Sequence, residues 1–174
     1  MQNSVFLLLG SNQGDRENNL FRACSGIKQN IGNILNISSV YETEPWGFED
    51  STLFYNQALE VETNLSPEEL LNAIHRIENE LGRIRQDPEC GPGCLYPAVT
   101  YSSRTMDIDI LFFGSMILFT EKLMIPHPRL HERRFTLLPL EEICPGYIHP
   151  VYRKSVSELL LQCLDRGEVK RISL

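Results

Sequence analysis

Two aspartates one residue apart, Asp107 and Asp109, sit in the stretch Arg104-Thr105-Met106-Asp107-Ile108-Asp109-Ile110-Leu111-Phe112-Phe113-Gly114. Its apolar β-formers and the closing Gly114 predict a strand. Side chains alternate along a strand, so Thr105, Asp107 and Asp109 share one face and Met106, Ile108 and Ile110 the other. Carboxylates held that close repel each other, and a cation between them relieves the cost. A hard divalent ion such as Mg²⁺ suits them, because it takes few protein ligands and completes its shell with water and phosphate oxygens. An isolated Asp-x-Asp is more often the wet face of a half-buried strand. The neighbours of this one argue for chemistry.

Arg83 and Arg85 precede a Pro- and Gly-rich segment from Gln86 to Thr100, and Arg104 follows it. The planar, permanently charged guanidinium grips phosphate oxygens bidentately. A second basic group lies between Glu121 and Phe135, its path restricted by Pro126 and Pro128. The single Trp, Trp46, falls in a loop from Glu42 to Thr52, either folded onto the core or open to a flat ligand. A bridging metal, cations and an aligned nucleophile are what phosphoryl transfer requires. The residue types therefore point to a Mg²⁺-dependent transferase acting on a nucleoside triphosphate. No G-x-x-x-x-G-K-[ST] loop, dinucleotide fingerprint or G-x-S-x-G elbow occurs.

The elements that must position these groups follow from periodicity. Val5 to Leu9 reads as a buried strand closed by Gly10-Ser11-Asn12. A helix starts near Asp15 and stops at Gly32. Ile34 to Tyr41 reads as a second strand and Phe54 to Glu62, which alternates, as a third. Ser66-Pro67-Glu68-Glu69 is a capping box with Pro at the first helical position, opening a helix that ends at Gly82. On it His75 and Glu78 lie three residues apart, a spacing that a solvated helix surface also explains. Short helices are expected over Thr136 to Ile143 and Ser155 to Leu164. Strand, helix, strand, strand, helix, strand is the ferredoxin-like β-α-β-β-α-β pattern, here with added C-terminal helices: a layered α+β domain. That scaffold by itself argues for no function.

Composition bounds the answer. The 174 residues are 42% hydrophobic and 22% charged, as in a soluble globular chain, and suggest one domain over 1–174. A net charge of −7 argues against a general nucleic-acid binder. No signal peptide or membrane-length apolar run is read, so the expected setting is the cytoplasm. Five cysteines imply no disulfide framework, and Cys90-Gly-Pro-Gly-Cys94 lacks the partner ligands of a zinc site.

Gly10-Ser11-Asn12, Tyr41-Glu42-Thr43-Glu44-Pro45-Trp46-Gly47, Phe54-Tyr55-Asn56, Arg104-Thr105-Met106-Asp107-Ile108-Asp109 and Ile125-Pro126-His127 together resemble the 6-hydroxymethyl-7,8-dihydropterin pyrophosphokinases, from about Val5 to Pro145. The resemblance implies transfer of the β,γ-pyrophosphoryl group of ATP to the hydroxymethyl oxygen of a reduced pterin, in folate biosynthesis. It implies that Asp107 and Asp109 hold two Mg²⁺ ions, that Arg83 and Arg104 stabilise the transferring charge, and that Arg85 binds ATP. His75, Glu78, Ile110, Lys122, Met124, His127 and Arg133 fall at ATP-site positions. Thr43, Pro45, Trp46, Phe54, Asn56 and Phe135 fall at or beside pterin-site positions. The loops Glu42 to Leu53 and Gln86 to Ser103 would close over ATP and exclude water. Glu44, Tyr101 and Lys122 depart from residues common in the family. The length suggests a monofunctional chain, expected to be a monomer, with ATP and the pterin as partners and neither nucleic acid nor membrane. Two other readings stay open on residue types alone: another Asp-x-Asp nucleotidyl or glycosyl transferase, and a non-catalytic ferredoxin-like module binding small ligands or RNA.

Overall fold

The structure, a computed structural model, describes residues 2–47, 51–83 and 103–173. Strand β1 (Asn3–Ser11) runs into helix α1 (Arg16–Asn30), which opens where the Asp15 carboxylate accepts from the Asn18 amide at 3.0 Å. Then come β2 (Gly32–Ile37), β3 (Val40–Thr43), β4 (Phe54–Thr63) and α2 (Pro67–Glu80). The expected capping box is formed: Ser66 accepts from the Glu69 amide, and Glu69 reaches back to the Ser66 amide. After β5 (Asp107–Phe113) follow the hairpin strands β6 (Leu118–Phe119) and β7 (Met124–Ile125), a 3-10 turn at Leu130–Glu132, α3 (Arg134–Ile143), α4 (Val156–Gln162) and β8 (Val169–Ile172).

Two expectations need correction. The single strand read over Ile34 to Tyr41 is two strands, because the Ser38 hydroxyl accepts from the Ala58 amide and donates to the Ser39 carbonyl, which breaks the ladder locally. The C-terminal strand β8 was not expected. It pairs with β3, Val40 opposite Ile172 and Thr43 opposite Val169. Among the described residues the strands of this sheet pair antiparallel, in the order β5-β1-β4-β3-β8 with β2 also on β4. The β5-β1-β4-β2 core with α1 and α2 is the ferredoxin-like arrangement.

Alternation along the strands divides the core in two. Val5, Leu7 and Leu9 of β1, with Leu59 and Val61 of β4 and Met106, Ile108 and Ile110, pack beneath α1 and α2. Gly26 permits this close approach, since a Cβ there would stand 3.2 Å from Ile77. Phe6, Leu8, Ala58, Leu111 and Phe112 face α3 and α4 on the other side. No described helix is long and apolar enough to cross a membrane.

Candidate active site

On the face packed by α3 and α4, apolar packing stops short of one end of the sheet. There the register sets Asn56, Gly10 and Asp107 side by side on β4, β1 and β5, with Ala58, Leu8 and Asp109 in the next row. Strands lie about 4.8 Å apart, so the backbones of Asn56 and Asp107 are about 10 Å apart with Gly10 between them. A Cβ on Gly10 would stand 3.3 Å from Asn56 Oδ1 and 4.0 Å from Asp107 Cβ. The missing side chain leaves an open floor between an amide and a carboxylate.

Above that floor is a cleft of about 550 Å³. Of the candidate residues, Thr43, Trp46, Phe54, Asn56, Arg83, Arg104, Asp107, Asp109, Met124, His127, Arg133 and Phe135 line it. Residues separated by up to 92 positions in sequence are thus brought together. Pro45, His75, Glu78, Ile110 and Lys122 are not among the lining residues. Ile110 is buried in the α1/α2 core, Lys122 is exposed on the β6–β7 turn, and His75 is half-buried on α2. Arg85 and Tyr101 lie outside the described residues, as does most of the loop from Gln86 to Ser103. Lining residues that sequence reasoning did not assign are Leu8, Gly10, Glu44, Pro128 and Arg129. Gly10 had a signal in the Gly-Ser-Asn tripeptide, and Arg129 in the basic group after His127.

At the charged end, Arg83 donates to Asp107 Oδ1 and to Glu78 Oε1 through the same Nη1. Arg104 Nη1 donates to Asp107 Oδ2 at 2.6 Å, and Arg133 Nη1 stands 3.9 Å from Asp109 Oδ2. Burial opposes the Arg83 charge, but Asp107 and Glu78 outweigh it and hold the guanidinium above its ordinary pKa. Glu78 is fully buried, which corrects the solvated-surface reading. Its carboxylate accepts from the Ile108 amide at 2.9 Å and so pins the start of β5 to α2. The segment before β5 is fixed from β1. Asn12 Oδ1 accepts from the Arg104 amide at 2.8 Å, and Ser11 Oγ donates to the Thr105 carbonyl at 2.6 Å.

Asp109 shows the strain of like charges. Burial first, and the neighbouring Asp107 charge second, push its carboxyl up to about 7. Arginines neutralise part of that charge in this arrangement. A divalent cation would neutralise more, so the donor set fits Mg²⁺. Among the described residues no group of three or more His, Cys, Asp and Glu gathers around a common point. Burial, then the charge of Arg133, lowers His127 to about 4, leaving it neutral near pH 7, and its Nδ1 accepts from the Arg129 amide at 3.3 Å.

The opposite end is aromatic. Asn56 Nδ2 donates to Thr43 Oγ1 at 2.7 Å, which orients its amide. The Arg133 guanidinium lies 4.6 Å from the Trp46 ring centre and 5.6 Å from that of Phe135. Trp46 is therefore folded over the cleft.

One open end of a ferredoxin-like sheet thus carries paired carboxylates, arginines that bridge them and an aromatic wall. A model of the family described as 7,8-dihydro-6-hydroxymethylpterin-pyrophosphokinase matches residues 6–145, and the chain belongs to that family. It is 44% identical over 145 residues to the 2-amino-4-hydroxy-6-hydroxymethyldihydropteridine pyrophosphokinase of Bacillus subtilis (strain 168), covering 83% of this chain and 80% of that one. The protein of the same description from Aquifex aeolicus (strain VF5) is 40% identical over 155 residues, covering 89% of each. Among solved structures, wild-type Plasmodium falciparum HPPK-DHPS with pteroate is similar at a TM-score of 0.71 and 18% identity, a likeness of fold. The match covers 93% of this chain and 42% of that one, so this chain spans less than half the length of that solved structure.

Proposed function

We propose that this protein transfers the β,γ-pyrophosphoryl group of ATP to the hydroxymethyl oxygen of 6-hydroxymethyl-7,8-dihydropterin, giving AMP and the pterin diphosphate, as a step of folate biosynthesis. The hydroxymethyl oxygen forms a bond to the β-phosphorus, the bond from that phosphorus to the α,β-bridging oxygen breaks, and AMP leaves. The observation that carries this reading is the row Asn56, Gly10, Asp107. It offers an amide to the edge of a flat heterocycle, open floor for its ring, and a carboxylate where the hydroxymethyl arm would end.

In this reading Asp107 orients the hydroxyl and takes its proton, and Asp107 and Asp109 would hold Mg²⁺. The ion, when bound, would neutralise charge on the triphosphate oxygens and favour their displacement. Two such ions would be needed to satisfy both carboxylates and the polyphosphate. Arg83 and Arg104, already on Asp107, turn to the transferring group and stabilise the charge spread over its oxygens. Arg133, His127, Met124, Lys122, Ile110, His75 and Glu78, with Arg85, form or support the ATP side. Glu78 acts there through its hold on β5 and Arg83. Trp46, Phe54 and Phe135 sandwich the pterin, with Thr43 fixing the Asn56 amide and Pro45 shaping the turn into Trp46.

The test is product analysis with ATP, Mg²⁺ and the hydroxymethyldihydropterin. AMP and pterin diphosphate in equal amounts, abolished by EDTA, are expected. Formation of ADP or of an adenylylated pterin, or no turnover by a folded sample, would overturn the assignment.

A further inference from the structure

Helix α3 has the wrong charges at its start. Arg133 stands at its N-cap and offers no side-chain cap, and Arg134 is its first residue. Two cations thus face the positive end of the helix dipole, where the first amides have no partner within the helix. The active site explains why they are tolerated, since Arg133 lies against Asp109, Trp46 and Phe135, and Phe135 is the next helical residue. Something must offset the cost.

The compensating group comes from the far end of the chain. After α4, whose end is anchored by buried Cys163, the Asp165 carboxylate splits its two oxygens. Oδ2 accepts from the Arg134 amide at 3.0 Å, and Oδ1 accepts from the Gly167 amide at 2.9 Å. The first bond caps α3 with a negative charge at the helix start. The second is an Asx-type turn that redirects the chain into β8. Strand β8 in turn pairs with β3, Val169 opposite Thr43. The other end of α3 is tied to the same strands: Glu142 accepts from Tyr41 Oη at 2.9 Å and stands 3.5 Å from Arg171 Nη2.

We infer that Asp165 is a positioning residue for the acceptor-binding end of the cleft, holding Phe135 on α3 in register with Thr43 on β3, while Arg133 reaches from the same helix start toward the ATP side. The inference rests on the pyrophosphokinase reading for its substrate. Asp165 lies beyond residue 145, where the family match ends.

Three variants test it, each compared with wild type well below its unfolding temperature. Asp165→Asn keeps a short acceptor, Asp165→Glu keeps the charge but displaces it by a methylene, and Asp165→Ala removes both. The expected result is a KM for the pterin raised about fivefold to twentyfold in Ala and Glu and by less in Asn, which can keep only one of the two accepted bonds, with kcat within about twofold. A pterin Kd read from quenching of Trp46 fluorescence should move in parallel, and ligand-free Trp46 emission should change in Ala and Glu as Arg133 shifts. A role in stability alone would lower the unfolding midpoint and leave KM, Kd and emission unmoved, which overturns the inference. If Ala does not fold, Glu decides by the same readouts. Absence of turnover in wild type would instead count against the reaction assigned above, and the pterin Kd would then carry the test of Asp165 alone.

Discussion

Leu7 and Leu8 are adjacent in sequence and lie on opposite faces of one strand, and they show what each face is for. Leu7 is wholly buried beneath α1 and α2, in an apolar layer that extends along the sheet. Leu8 packs against α3 and α4 at one end but also lines the cleft at the other. On the first face alternation places Leu9 and Ile108 where the second has Gly10, Asp107 and Asp109. One face is core throughout. The other gives up one end of its core to polar groups that repel each other or need a partner. The difference teaches that the site was made by withholding packing from one end of one face, while the opposite face holds the strands in register.

Substitutions on the two faces should therefore separate activity from stability. The largest expected effect is Asp107→Asn on the open face. It removes the group placed to hold Mg²⁺ and orient the acceptor hydroxyl, and should lower kcat about a thousandfold or more. The unfolding midpoint should stay within a few degrees of wild type, since the cleft does not hold the strands together. AMP release and a thermal melt on the same sample check both halves. Next comes Leu7→Ala on the closed face, a cavity at the centre of the sheet. It should cost about 2–5 kcal/mol in urea unfolding and leave kcat within about twofold at a temperature where the variant is folded. A large loss of kcat in folded Leu7→Ala would show that the closed face also sets the site's geometry, and the division drawn between the faces would fail.

How much of this was legible in sequence follows the same division. Local period and capping chemistry announced α1, α2 and the β5 alternation, because each is decided within a few residues. The Asp107/Asp109 pair was legible for the same reason. Its surroundings were less so. Glu78 sits at an ordinary helical spacing, and its burial depends on the Ile108 amide, 30 residues away. Strand β8 reads Val-Lys-Arg-Ile, with its two central residues exposed, and is a strand because β3 offers it an edge. The division of residues 32–43 into β2 and β3 hinges on Ser38 and its bond to the Ala58 amide, which no propensity encodes. Arg129 enters the cleft through the fold of a proline-flanked turn, so neither helical nor strand period marked it. Residues whose partners are near in sequence could be read from local pattern, whereas Asn56 and Arg133, whose neighbours in the cleft are distant in sequence, were singled out only through the family resemblance.

The smallest expected effect asks whether the α3/α4 face, besides giving up packing, also carries the molecule's acid sensitivity. His149 is 3% exposed, and its Nδ1 accepts from the Val151 and Tyr152 amides, each at 3.2 Å. Its ring packs against Phe112 and Tyr152. Protonation would break the acceptor role and bring charge into an apolar layer. Burial first, and the charge of His131 second, accordingly lower it to about 4 from 6.5. Between those values the unfolded chain binds a proton that the folded protein refuses, so stability rises with pH across the window and is lost as pH falls through it. From pH 7 to pH 5 the loss from this group should be about 2 kcal/mol. His149→Asn keeps a short acceptor for the two amides and does not titrate. Urea midpoints at both pH values should then show a smaller acid loss in the variant than in wild type. Equal losses would place the acid sensitivity elsewhere, with the crowded carboxylates and arginines of the open sheet end the next groups to test.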